Sequence, residues 1–326
     1  MLASLVRLLL VLGSVSGFRT ARYGFEAVKN ASRPTWLAQC NADVSSAACC
    51  NAWSKKVERH FDLLSLQYHE SSLYHYAHLA HNTTEAYDLQ NPTWNCELSE
   101  RVPATFGDGP KHVCGMDALR ERSKCLVYSF GSNGHVDFET ALKERLPLCE
   151  IHTFDPFLNI AGREAKLDKV RAAEKRAVLT YQNLGLVGDG SELKWKGEAL
   201  PHGTFSEIVE KLGHRGRELD VLKVDVEGSE FGALSHSGLF GGCLASGAPK
   251  VPIRQVQIEV HGQSFVDIFR LAEQMHTCGL ALFSKEPNHW GCDGYKCVEL
   301  SFVGPQHAWE SYKLSHPSCA GVAGGR

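Results

Sequence analysis

From Cys114 to the C-terminus, short β-prone apolar runs alternate with stretches of helical spacing. "CLVYSFG", beginning at Cys125, is apolar, aromatic and closed by glycine, which predicts a buried strand. "VDFETALKERL" follows with apolar residues three and four apart, a helix. The pattern continues as strand "CEIHTFD", helix "AKLDKVRAAEKR", strand "AVLTYQNLGLV", helix "TFSEIVEKLG", strand "LDVLKVDV" and the partly helical "EFGALSHSGLF". Strand "VPIRQVQIEVH", helix "SFVDIFRLAEQMHTCG" and strands "LALFSKEP" and "VELSFVG" complete it. Thr204 and Glu207 stand at capping-box spacing. Such alternation predicts an α/β fold, a mostly parallel sheet with helices on both faces. No helix fits between the last two strands, so they should pair as an antiparallel hairpin.

The first part of the chain is patterned differently. Cys49, Trp53, Val57, Phe61 and Leu64 form one helical stripe, which predicts a helical N-terminal extension over 18–94. His69, His75, His78 and His81 read as exposed histidines, because no carboxylate or cysteine is interleaved at ligand spacing. Asn91 to Cys114, broken by Pro92, Pro103, Gly107, Gly109 and Pro110, reads as a boundary loop. Residues 1–17 carry Arg7, an apolar run from Leu8 to Leu12 and then small residues, which reads as a secretory signal peptide. A buried N-terminal helix or a short signal anchor is the competing reading, and the run falls short of the roughly 18 residues a membrane span needs.

Composition changes the picture little. The chain has 326 residues, 43% hydrophobic, with a net charge of −3, so nothing suggests a nucleic-acid partner. All 12 cysteines follow the signal segment, which suggests disulfides formed in the secretory lumen or outside the cell. The sequons at Asn30 and Asn82 fit that compartment and would make the chain a glycoprotein.

Candidate chemistry lies at the carboxyl ends of the strands, where open parallel sheets bind ligands. Gly131, Ser132, Asn133 and Gly134 follow the first strand and allow a tight turn. Asp155 ends the second, Asp225 and Glu227 the fourth, Glu259 and His261 the fifth. The turn has no third glycine at dinucleotide spacing, which favours a nucleoside without a pyrophosphate over NAD. An acid at the second strand end suits ribose hydroxyls. Asp225 and Glu227 share a direction if the strand continues, while Glu230 caps the next helix. His261, with Glu259 and Asp225, could deprotonate a hydroxyl. The same residues could instead hold a divalent cation, although no metal is assigned.

"VYSFGSNGHVDFE", "HTFDP", "DVLKVDVEGSEFGAL", "QIEVH" and "LFSKEPN…VELSFV" together resemble the FkbM-type and animal methyltransferase-like families of S-adenosylmethionine-dependent enzymes. "GDGPKHVC" is similar to a "GDGGKWVC" block of the latter group, departing at Pro110 and His112. The resemblance implies a Rossmann-like class I methyltransferase fold with seven strands in the order 3-2-1-4-5-7-6. It places that domain over 95–312, with a C-terminal tail at 313–326. By motif match, Gly131 and Asp155 contact the cofactor S-adenosyl-L-methionine, and Asp225 lies beside it. The implied reaction is O-methylation of a hydroxyl, on a glycan or a secreted small molecule. The alternative is a secreted glycan-binding or adaptor protein that keeps the fold without turnover.

Overall fold

The computed structural model describes residues 48–52, 54–55, 90–234, 238–241, 243, 252–262, 265–292, 294–319 and 321–322. The expected signal segment, both sequons, the histidines from His69 to His81 and the stripe from Trp53 to Leu64 lie outside the described residues.

Nine strands and seven helices position the site. The strands are β1 (Ser99–Val102), β2 (Lys111–Cys114), β3 (Leu126–Phe130), β4 (Glu150–Phe154), β5 (Thr180–Gln182), β6 (Val221–Val224), β7 (Gln255–His261), β8 (Ala281–Asn288) and β9 (Gly294–Val303). The helices are α1 (Met116–Arg120), α2 (Asp137–Arg145), α3 (Glu164–Lys175), α4 (Phe205–Lys211), α5 (Glu230–Leu234), α6 (Phe265–Thr277) and α7 (Pro305–Ser315). Seven strands form one sheet in the order β8-β9-β7-β6-β3-β4-β5. Numbered by their place in the alternation, that is the expected 3-2-1-4-5-7-6. Neighbours are parallel except β9, which is antiparallel to both β7 and β8. The expected hairpin is therefore present.

Side-chain alternation along each strand sorts the residues between two faces. Tyr128, Phe130, Phe154, Leu222, Val224, Ile258 and Leu300 pack on one face against α4, α5 and α6. Val127, Ile151 and Val221 pack on the other with Leu119, Phe138, Leu142 and Val170. Thr204 and Glu207 form the capping box of α4.

Three segments differ from the sequence reading. The stretch read as a boundary loop contains the antiparallel pair β1–β2, with Val102 opposite Lys111. Prolines and glycines concentrate in its connection, hiding two four-residue strands. "AVLTYQNLGLV" joins the sheet only through β5. The backbone then turns, with Leu184 N–H donating to Gln182 O at 2.9 Å, and Gly185–Leu186 pairs with His202–Gly203 instead. After β9, Pro305 opens the unforeseen helix α7, whose Ala308 and Trp309 cover a third cluster with Phe283 and Val303.

Five disulfides are described: Cys50–Cys319, Cys96–Cys114, Cys125–Cys149, Cys243–Cys278 and Cys292–Cys297. No described cysteine is free, and the pairing suits an oxidising compartment. No helix among the described residues is long and apolar enough to cross a membrane.

Candidate active site

Where β3 ends, the chain must turn sharply past the end of β6. Gly131 has φ 77°, and a Cβ there would lie 1.6 Å from the Asp225 carbonyl oxygen, so only glycine fits. Gly134, at φ 80°, lies close to α3, where a Cβ would meet Lys166 Cβ at 2.5 Å. Asp155 fixes this turn from β4. Its Oδ2 accepts from Ser132 N–H (3.1 Å), Ser132 Oγ (3.1 Å) and Asn133 N–H (2.7 Å), and its Oδ1 accepts from Phe157 N–H at 3.0 Å. Oδ1 keeps a lone pair for one further donor.

The C-terminal half of the same sheet face is acidic. β6, β7 and β9 present Lys223, Glu259 and Glu299 on the side opposite the apolar cluster, and Asp225 follows β6. In register, Glu259 faces Glu299, and Glu299 faces Glu286 of β8. Three glutamates in a row across adjacent strands repel one another. The β1–β2 hairpin answers with cations. Lys111, only 1% exposed, bonds Glu299 and lies 3.5 Å from Glu259 and 3.8 Å from Asp225. Arg101 meets Glu286 at 3.3 Å, and His112, its pKa lowered by burial, lies 3.5 Å from the same carboxylate as a neutral ring. Lys223 bonds the Gly131 carbonyl and lies 3.5 Å from Asp225, which links the acidic row to the glycine turn.

This crowding sorts the protonation states. Burial pushes the Asp225 carboxyl up, but Lys223, Lys111 and His261 outweigh it and hold it below its usual range. Burial and the Asp225 charge raise Glu259 against the pull of Lys111. Glu299, buried beside two other carboxylates, rises to about 8. Burial disfavours the Lys111 ammonium, yet the three carboxylates raise its pKa further.

His261 is pinned from below. Buried Glu230 accepts from the His261 backbone N–H and approaches ring Nδ1, both at 2.8 Å, while its other oxygen accepts from Gly228 N–H at 2.8 Å. Glu230 therefore does more than serve the helix start. Burial lowers the imidazole pKa, but Glu230, Glu259 and Asp225 raise it to about 9, so His261 is a cation at neutral pH. Glu227 departs from the expected geometry: the strand ends at Val224, Glu227 takes φ 54°, and its side chain is 81% exposed, 3.4 Å from His261 Nε2.

One cavity of about 830 Å³ is lined by Gly131, Ser132, Asn133, Asp155, Asp225, Glu227, Glu259 and His261. Gly134 stands behind the turn. The size falls within the range of small-molecule sites. Asp225, Glu227 and His261 hold donor atoms close enough for a cation, but Lys223 and Lys111 already neutralise Asp225. Sequence reasoning missed Lys111, Lys223, Glu139, Glu230 as a partner of His261, and Glu299. A charged residue inside an apolar run was the available signal at Lys223 and Glu299. Glu139 lines the cavity with one buried carboxylate oxygen lacking a hydrogen-bond partner. Buried Asn288 donates to Glu259 (2.8 Å) and Asp108 (2.9 Å), both of which line the cavity.

A seven-stranded sheet with a reversed β9, and a glycine turn facing carboxylates at the strand ends, define a Rossmann-like methyltransferase fold. A family described as a methyltransferase domain matches residues 52–304, and the chain belongs to that family. No curated protein sequence matches it. A solved structure it resembles is precorrin-6Y C5,15-methyltransferase from Geobacter metallireducens GS-15. The TM-score is 0.33 at 7% identity, over 58% of this chain and 86% of that one, too distant for its substrate to bear on this chain.

Proposed function

We propose that this methyltransferase uses S-adenosyl-L-methionine to methylate a hydroxyl, on a glycan or a secreted small molecule, in the secretory pathway. It would stand with the FkbM-type and animal methyltransferase-like group, with 95–312 as the catalytic unit behind a signal peptide. The carrying observation is that Gly131, Asp155, Asp225, Glu259 and His261 line one cavity.

The residues fit such a nucleoside. The Gly131 cradle excludes any side chain, Asp155 Oδ1 has room for a ribose hydroxyl, and Phe157, Leu186 and Trp195 offer apolar walls for a purine. The unpartnered Glu139 oxygen and ionised Asp225 suit the amine and the positive sulfur. When bound, the cofactor supplies an electrophilic methyl group. Glu259, its pKa raised by burial and by the Asp225 charge, accepts the acceptor hydroxyl's proton. His261, held as a cation by Glu230, donates a hydrogen bond to the oxygen as charge develops on it. This division replaces the expected histidine base. Phe106 and Trp290, 90% and 66% exposed near the rim, suit stacking on a sugar ring.

Thermal shift with S-adenosylhomocysteine tests the cofactor. Wild type should be stabilised, and Asp155→Ala and Asp225→Ala should lose the shift. Wild-type shifts in both variants would refute the assignment. Labelled methyl donor with candidate glycans, followed by mass spectrometry, tests the acceptor.

A further inference from the structure

At the opposite end of the sheet, away from the cavity, two buried imidazoles and one carboxylate converge. Glu150 and His152 stand two apart on β4 and so share a face. His214 follows α4, and its backbone N–H donates to Val209 O at 2.9 Å, which seats the ring over β4. His152 Nε2 and His214 Nε2 lie 2.8 and 3.2 Å from the same oxygen, Glu150 Oε1. All three candidate ligand atoms lie within 4.8 Å of one another. Around a zinc ion with bonds of ~2.0–2.1 Å, tetrahedral ligand atoms stand ~3.3 Å apart. The two histidine–carboxylate distances are close to that spacing without an ion.

The surroundings are those of a ligand set. A metal-bound histidine is oriented by a partner on its other nitrogen. His214 Nδ1 lies 2.7 Å from the Tyr128 hydroxyl, and His152 Nδ1 lies 3.5 Å from the Gln182 amide. Arg217 Nη1 donates to the second Glu150 oxygen at 2.7 Å, fixing the carboxylate while leaving Oε1 available. Both histidines are buried, whereas the Glu150 side chain reaches solvent. An ion could therefore approach from the Glu150 side.

We propose that Glu150, His152 and His214 form a binding site for a zinc-class divalent transition metal, with water as the fourth ligand. The site is independent of the methyl-transfer cavity, which none of the three residues lines. It would tie the loop after α4 to the outer strands of the sheet, and so act on stability.

The test is titration of the EDTA-treated chain with Co²⁺ alone. One equivalent should bind with the visible absorption of a four-coordinate site, Zn²⁺ should displace it, and the melting temperature should rise. His152→Gln, His214→Gln and Glu150→Gln should each lose the absorption. Tyr128→Phe should weaken binding about 10-fold. Glu150→Gln changes a solvent-reaching side chain and keeps the buried rings, so circular dichroism on it separates lost binding from lost fold. His261→Gln should bind as wild type does. The proposal is overturned if wild type takes up no Co²⁺, which leaves a hydrogen-bonded network, if the cluster variants bind normally, or if only His261→Gln loses the ion.

Discussion

The two halves of the cavity are held together by different physics. On the β4 side, one carboxylate, Asp155, is satisfied by neutral N–H and O–H donors, from Phe157 beside it and from Ser132 and Asn133 on the turn after the adjacent strand. On the β7–β9 side, Asp225, Glu259 and Glu299 are satisfied by Lys111, an ammonium from a hairpin far away in sequence. A carboxylate held by neutral dipoles needs only the ends of two neighbouring strands. Carboxylates held by one buried cation depend on a separate element arriving in place. The first half should therefore tolerate change elsewhere in the molecule, and the second should not.

The sharpest way to break this contrast is Lys111→Met. Removing one partner of a buried ion cluster typically costs about 3–5 kcal/mol, and denaturant titration should register a loss of that size. Adding Glu299→Gln should recover part of the stability, because the buried carboxyl left without its Lys111 partner is replaced by an amide that cannot ionise. If Lys111→Met alone were neutral, the hairpin would not be the neutralising element. Asp155→Ala should have the next largest effect, weakening S-adenosylhomocysteine about 100-fold or more, equivalent to about 2.7 kcal/mol. Calorimetry would measure it, and a smaller fall in global stability than in Lys111→Met is expected.

His261→Asn should reduce kcat/KM for methyl transfer about 100-fold. It should also remove the alkaline limb of the pH profile, which in wild type should fall near pH 9 as His261 deprotonates. A wild-type profile flat through pH 10 would dissociate His261 from the reaction. The smallest effect concerns stability against pH. The His261 pKa is raised on folding, so its contribution is complete below about 6.5 and is lost as pH rises through about 9. Melting curves between pH 6 and 10 should show wild type losing more than His261→Asn does.

The same contrast explains what could be read in advance. Gly131, Asp155, Asp225 and Glu259 stand at strand ends, and strand ends follow from apolar runs and their punctuation. The order of the seven strands followed from the resemblance. Lys111 was out of reach because its meaning lies in partners such as Glu299, 188 positions away. Its strand is four residues long and borders a connection rich in proline and glycine. The role of Glu230 was hidden similarly, since β7 returns His261 to it 31 residues later. The left-handed turn at Glu227 broke the alternation that would have aligned it with Asp225.

Cys114 ends the strand that carries Lys111. It is bonded to Cys96, and its backbone N–H and carbonyl are gripped by the Gln255 side-chain amide at 3.0 and 3.2 Å. Maturation of the pocket is thereby tied to thiol chemistry. Chains synthesised where glutathione keeps cysteines reduced should fold their sheet yet leave the roof unlatched, and recombinant material from such a host should gain methyl-transfer competence only after oxidative refolding.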